Sequence, residues 1–202
     1  EVYQQGKGVI VMVPEISLTP QTIGRFHKRY GNRVAVFHSA LSMGERLDEW
    51  KRVKNGQALI AVGTRSAVFA PFEHLGLIIM DEEQEYTYKS ESSPRYHARE
   101  VAKYRCAYHN ALLVLASATP SLESYFMAEN GRYSLESLPH RYGDAKLPEV
   151  IIADMNEQLP TGNTTAFSNE LIQALEENLE RKEQSILLLN RRGYHSFVSC
   201  KH

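Results

Sequence analysis

No stretch of this 202-residue chain approaches the roughly 18–20 consecutive apolar residues that a membrane-spanning helix needs. The opening Glu1-Val-Tyr-Gln-Gln5 has neither the basic start nor the apolar core of a secretory leader, so a cytoplasmic setting without membrane attachment is the expectation. Cysteine is scarce, with two residues, which excludes a disulfide scaffold. Cys106 reads as a small buried helix residue and not as a reactive thiol. Cys200-Lys-His202 reads as part of a metal site lacking its partner ligands, because a structural zinc takes four. A dominant charge is missing too: the formal net charge is −1, so any nucleic-acid contact has to come from a local basic surface and not from the field of the whole molecule. Internal repeats and low-complexity tracts are also absent.

What the chain has is alternation. Val9-Ile-Val-Met-Val13, Val34-Ala-Val-Phe37, Ala58-Leu-Ile-Ala-Val62, Leu77-Ile-Ile-Met80 and Leu112-Leu-Val-Leu115 are short, continuous apolar runs. Between them lie segments of helical period: Thr19-Pro20 opens one that carries Ile23, Phe26, His27 and Tyr30, and Ser42-Met-Gly-Glu45 forms a capping box ahead of Leu47, Trp50 and Val53 on an inner face. Continuous apolar strands alternating with helices predict a parallel sheet covered on both faces, an α/β lobe of the RecA-like, P-loop NTPase kind. Residues 1–130 are assigned to this lobe and residues 131–165, broken by Pro139, Pro148 and Pro160, to a connection. Residues 166–202 begin a second lobe, with a helix capped by Ser168 that bears Leu171, Ile172, Leu175 and Leu179, and a strand over Ile186-Leu-Leu-Leu189.

Chemistry enters at the strand ends. Leu75-Gly-Leu-Ile-Ile-Met80 delivers Asp81-Glu82-Glu83-Gln84. A buried strand ending in adjacent carboxylates suits Asp81 to hold Mg²⁺ through water, and Glu82 to orient or deprotonate a water attacking a phosphate. Glu83 reads as a solvated neighbour. Ala111-Leu-Leu-Val-Leu-Ala116 ends in Ser117-Ala-Thr-Pro120, whose hydroxyls on Ser117 and Thr119 suit relaying the nucleotide state; an ordinary capping loop with Thr119 as the cap is the plain alternative. Basic helix residues Arg25, Lys28, Arg29, Lys51, Arg52 and Lys54 read as solvated faces.

Several strings together, Val13-Pro-Glu-Ile-Ser-Leu-Thr-Pro-Gln21, Gly63-Thr-Arg-Ser-Ala67, Asp81-Glu-Glu-Gln84, Tyr88-Lys89, Pro94-Arg-Tyr-His-Ala-Arg99, Ser117-Ala-Thr-Pro120 and Leu189-Asn-Arg-Arg-Gly193, closely resemble the PriA family of primosomal replication-restart DNA helicases, in superfamily 2. The resemblance implies ATP-driven 3′ to 5′ translocation on DNA with Mg²⁺, and assembly of a primosome with primosome proteins and single-stranded DNA-binding protein as partners. It also implies a zinc-binding insertion that Cys200 would begin. It places DNA-backbone contacts at Pro14, Glu15, Thr19 and Gln21 and at Thr64, Arg65 and Ser66, and a DNA-sensing aromatic loop at Tyr86, Tyr88, Lys89 and Arg95. Tyr96 and Arg99 either join that loop or pack on the following helix. Gln84 stands where the family often has histidine; an amide still bonds the hydroxyls of the Ser-Ala-Thr loop but does not titrate near neutral pH. The family's Gly-Lys-Thr phosphate loop is expected just before Glu1, so the 202 residues read as an excised helicase core that does not hydrolyse ATP alone. A binding module without catalysis is the competing class.

Overall fold

A computed structural model describes residues 1–140, 143, 147–158 and 167–188, the side chains of residues 157 and 158 excepted. The chain divides into a unit of Glu1–Ser137 and a unit of Leu138–His202.

The first unit is built on a five-stranded, wholly parallel sheet in the order β2-β3-β1-β4-β5. Its strands are β1 (Gly8–Met12), β2 (Val34–Phe37), β3 (Ile60–Gly63), β4 (Leu75–Met80) and β5 (Leu112–Leu115), each on one of the apolar runs. Side chains alternate between the faces of a strand. Ile10, Met12, Ile78 and Met80 therefore enter one core with Val68, Tyr88, Ala102 and Cys106. Val9, Val34, Ile60 and Val62 enter a second, against Phe26 and Tyr30. Both faces are apolar because both are packed, the signature of parallel sheets. The exception is the β5 edge, where Leu113 and Leu115 pack inward while Leu112 and Val114 are exposed.

The helices start where their caps predict. Thr19 accepts the Thr22 amide at 3.2 Å to begin α1 (Pro20–Tyr30), with Pro20 in the first turn where its missing N–H costs nothing. Ser42 and Glu45 close the expected capping box on α2 (Met43–Lys54). Of the three residues assigned to the inner face of α2, only Val53 is buried; Leu47 and Trp50 are exposed. Arg52 is not a solvated cation but a clamp: it pairs with Glu49 at 2.7 Å and donates to the carbonyls of Asn32 and Val34, tying α2 to the start of β2. Cys106 is buried in α3 (Ala98–His109), and burial raises its thiol pKa, as a structural role requires.

The loop after β5 leads to α4 (Leu122–Glu129), whose cap is Ser121, accepting the Ser124 amide, and not Thr119. In the second unit, α5 spans Met155–Gln158. Ser168 caps α6 (Asn169–Glu180) by accepting the Leu171 amide at 3.1 Å. Leu171, Ile172 and Leu175 are half-buried, whereas Leu179 is exposed. The expected strand is not formed over Ile186, Leu187 and Leu188, which are irregular and exposed: a strand exists only with a partner ladder, and the described residues of this unit offer none. Leu189 and the following Asn-Arg-Arg-Gly193 lie outside the described residues, as does Cys200, the expected start of a zinc-binding insertion. No described helix is long and apolar enough to cross a membrane.

Candidate functional site

The predicted chemistry gathers at the carboxyl edge of the sheet, the side on which open parallel sheets place their ligands. Backbone bonds align the strand exits: the Asp81 amide donates to Met12 O at 2.9 Å, Ala116 N to Met80 O at 2.8 Å, and Glu83 N to Ala116 O at 3.0 Å. The acidic box and the Ser-Ala-Thr loop are thereby held side by side.

Within the box the side chains diverge. Asp81 is exposed and accepts the Glu82 amide through Oδ1 at 3.1 Å. Glu82 adopts φ 48°, a left-handed conformation that costs a non-glycine residue roughly 1–2 kcal/mol and that turns the chain sharply at the strand end. Its Oε2 accepts the Gln84 amide at 2.8 Å, Gln84 Oε1 accepts the Ser117 hydroxyl at 2.6 Å, and Ser117 Oγ accepts the Thr119 amide at 2.8 Å. An unbroken chain of bonds thus runs from Glu82 to the Ser-Ala-Thr loop. Gln84 carries it because an amide donates with one end and accepts with the other.

Glu83, read from sequence as a solvated neighbour, is only 2% exposed. It sits 2.9 Å from Arg99 and accepts the Ser121 amide at 2.7 Å and the Ser124 hydroxyl at 2.9 Å. Burial pushes this carboxyl up, but the Ser121 amide, the Ser124 and Ser121 hydroxyls and Arg99 together outweigh it and hold the group below its ordinary range. Arg99 thus takes the packing alternative: it points inward to Glu83, Ser121 and Ser124. This network bolts the acidic box to α3 and α4. The linear chain gives no signal for it: residues 81–84 form a turn beyond β4, where strand alternation no longer sets which way a side chain points.

Tyr88 is a further correction. It is fully buried, its hydroxyl donating to the Asp81 carbonyl at 2.7 Å, and burial followed by the charges of Asp81, Glu85 and Glu82 raises its pKa. A ring with no exposed face cannot stack on a base, so Tyr88 supports Asp81 from below. Tyr86 projects outward, 67% exposed.

Beside the box, a cleft of about 510 Å³ opens between the ends of β1 and β3 and the loop over residues 86–92. Glu15, Thr64, Arg65, Ser66, Tyr86, Tyr88 and Lys89 of the expected DNA-contacting set all line it, joined by Ser39 and Arg46, which the sequence reading did not single out. Pro14, Thr19, Gln21 and Arg95 do not line it. Pro14 is buried, Thr19 is engaged as a cap, and Gln21 and Arg95 are exposed elsewhere. Thr64 and Arg65 begin a 3₁₀ turn over Arg65–Phe69, without a side-chain cap from Thr64. Gly63 before it has a steric reason: a Cβ there would lie 2.1 Å from the Phe37 carbonyl oxygen. Arg65 donates to the carbonyls of Lys89 at 2.6 Å and Thr87 at 3.2 Å and lies 5.9 Å from the Tyr96 ring centre, so it shapes the aromatic loop as well as the cleft.

Residues 2–127 match the DEAD/DEAH box helicase family. The chain belongs to that family. Over its full length it is 53% identical to the replication restart protein PriA of Bacillus subtilis, covering 25% of that protein. It is 47% identical over 98% of its length to PriA of Synechocystis, and 44% identical over 99% to PriA of Chlamydia pneumoniae, covering 24% and 27% of those proteins. The resemblance read from the motifs is borne out, and the chain spans about a quarter of the length of these curated relatives.

In this helicase-family lobe the donor set at the box is hard oxygen, and among the described residues no group of three or more His, Cys, Asp or Glu is gathered to hold a metal ion. An exposed carboxylate without an all-protein cage fits Mg²⁺, which commonly arrives with phosphates and retains water, binding through one or two carboxylates.

Proposed function

We propose that the chain is the first lobe, with the opening of a second, of an ATP-dependent DNA helicase that translocates 3′ to 5′ and restarts stalled replication forks. The observation that carries this reading is the bonded chain from Glu82 through Gln84 to Ser117, because it joins the group suited to activating water to the loop suited to reporting that event. Magnesium-bound ATP supplies the phosphoanhydride whose hydrolysis drives movement. Asp81 is the residue that would hold the ion, through water. Glu82 orients the attacking water and takes its proton, and its strained backbone and the Gln84 amide fix the carboxylate's direction. Gln84, Ser117 and Thr119 pass the change of state to the rest of the lobe, while the cleft of Glu15, Thr64, Arg65, Ser66, Tyr86 and Lys89 engages the DNA strand. Thr19, Gln21 and Arg95 extend that contact outside the cleft. Primosome proteins and single-stranded DNA-binding protein are the partners that the similarity to PriA supports, and zinc at Cys200 belongs to the same proposal.

The test is Glu82→Gln in the complete protein. It should abolish unwinding and lower DNA-stimulated hydrolysis by about 10²–10⁴ while nucleotide binding survives, because Asp81 is untouched. Hydrolysis near the wild-type rate would remove Glu82 from its assigned role.

A further inference from the structure

The cleft does not end at its cationic wall. Arg46 and Ser66 also line a second, smaller groove of about 160 Å³ whose other walls are Phe37, His38, Trp50 and Phe69, so the polar cleft and the apolar groove adjoin at these two residues. Trp50 and Phe69 stand 42% and 50% exposed there, and Phe69 is braced edge-on against Tyr96 with ring centres 5.1 Å apart. In the adjoining cleft the cations Arg46, Arg65 and Lys89 outnumber the carboxylates Glu15 and Glu91. Arg46 donates to the carbonyls of Leu41 and Ser39 at 3.0 and 2.7 Å, Arg65 likewise spends its bonds on carbonyls, and neither they nor Lys89 forms an ion pair among the described residues. Exposed aromatic faces beside cations that form no ion pair among the described residues match the chemistry of a single nucleic-acid strand, whose bases stack while its phosphates are held.

We propose that Trp50 and Phe69 form a stacking platform for one base of the DNA strand whose backbone lies in the neighbouring cleft. The inference rests on the reading of that cleft as a DNA site. Arg46, fixed by two backbone carbonyls at the junction, holds the phosphate on the approach to the stacked base. Trp50 is thereby released from the core role that its helical spacing suggests: it faces out of α2 because its partner is a ligand. A strand entering here would be read by its π-faces and charge, which makes the platform tolerant of sequence.

Trp50 is the single tryptophan of the 202 residues, so its emission reports the groove directly. The chain is titrated with an oligo-dT strand about ten nucleotides long, within the site sizes usual for single-strand binders, while binding of the same strand is followed by end-label anisotropy. The expected result is quenching of Trp50 with the same midpoint as the anisotropy change. Trp50→Leu and Phe69→Leu should each weaken binding by about 5- to 150-fold, with Trp50→Phe restoring much of the loss. The salt dependence of log K should keep its slope in Trp50→Leu but fall by about one in Lys89→Ala. Anisotropy that shows binding with Trp50 unquenched, or Trp50→Leu binding like the parent, overturns the platform and leaves the DNA cleft standing. A groove reserved for a protein partner would give that same result. Absence of any DNA binding by the unsubstituted chain overturns both. Because quenching is read on the unsubstituted chain, a folding defect in a variant does not shield the proposal.

Discussion

Replacing Arg99 by methionine leaves the Glu83 carboxylate buried without its counter-charge, and the size of the effect follows from the surroundings. The two side chains are 14% and 1% exposed and 2.9 Å apart, so the pair is interior, and removing one partner of such a pair costs about 3–5 kcal/mol. The Ser121 amide and the Ser121 and Ser124 hydroxyls still serve the carboxylate, which puts the expectation at the lower end, about 3 kcal/mol. Glu83→Gln is milder, because the amide keeps the Ser121 contact and the freed guanidinium, 3.6 Å from Glu100, can turn toward that exposed carboxylate. The double variant should be less unstable than the sum of the singles by about 0.5–3 kcal/mol, as for residues in one network. The acid limb has a definite sign. The Glu83 carboxyl is depressed in the folded state relative to its ordinary 4.5, so its contribution is present above that value and is lost as pH falls through the lower folded value. Arg99 is one of the groups that lower it, so Arg99→Met should begin to lose stability at a higher pH than the parent. Urea unfolding followed by circular dichroism from neutral pH to about pH 3 measures both effects. A cost below about 1 kcal/mol at neutral pH, the range of exposed ion pairs, would show that the network does not bolt the acidic box to the helices.

Two further outcomes are expected. Tyr88→Phe strips the Asp81 carbonyl of its buried donor and should cost about 1–3 kcal/mol in thermal unfolding with single-strand affinity unchanged; a drop in affinity at unaltered stability would return Tyr88 to the DNA surface. His97 caps α3 by accepting the Arg99 amide on Nδ1 at 3.2 Å, which requires an unprotonated nitrogen, and burial, then Arg99, lowers its pKa below the ordinary 6.5. Its contribution is therefore present above 6.5 and is lost as pH falls through the lowered value. His97→Asn keeps a cap and should flatten the stability profile there, and a profile identical to the parent's would disprove the assignment.

The five strands of the first unit, the parallel character of their sheet and the caps at Thr19, Ser42 and Ser168 are legible in the linear chain because they rest on local pattern: apolar runs, proline in a first turn, a hydroxyl placed to meet an amide. The acidic box is legible for the same reason, since a strand that must be apolar ends where Asp81 begins. Which way each side chain then points is a tertiary matter. Glu83 and Glu82 are adjacent and chemically alike, yet one is sealed against Arg99, Ser121 and Ser124 while the other meets Gln84. Tyr86 and Tyr88 are two apart in one loop, yet one is solvent-facing and the other is core. Trp50 and Val53 share a helix face by spacing, and only Val53 meets the sheet. Periodicity specifies a direction relative to an element's own axis; burial depends on what other elements bring to that direction, and that is decided only when residues tens of positions apart are packed together.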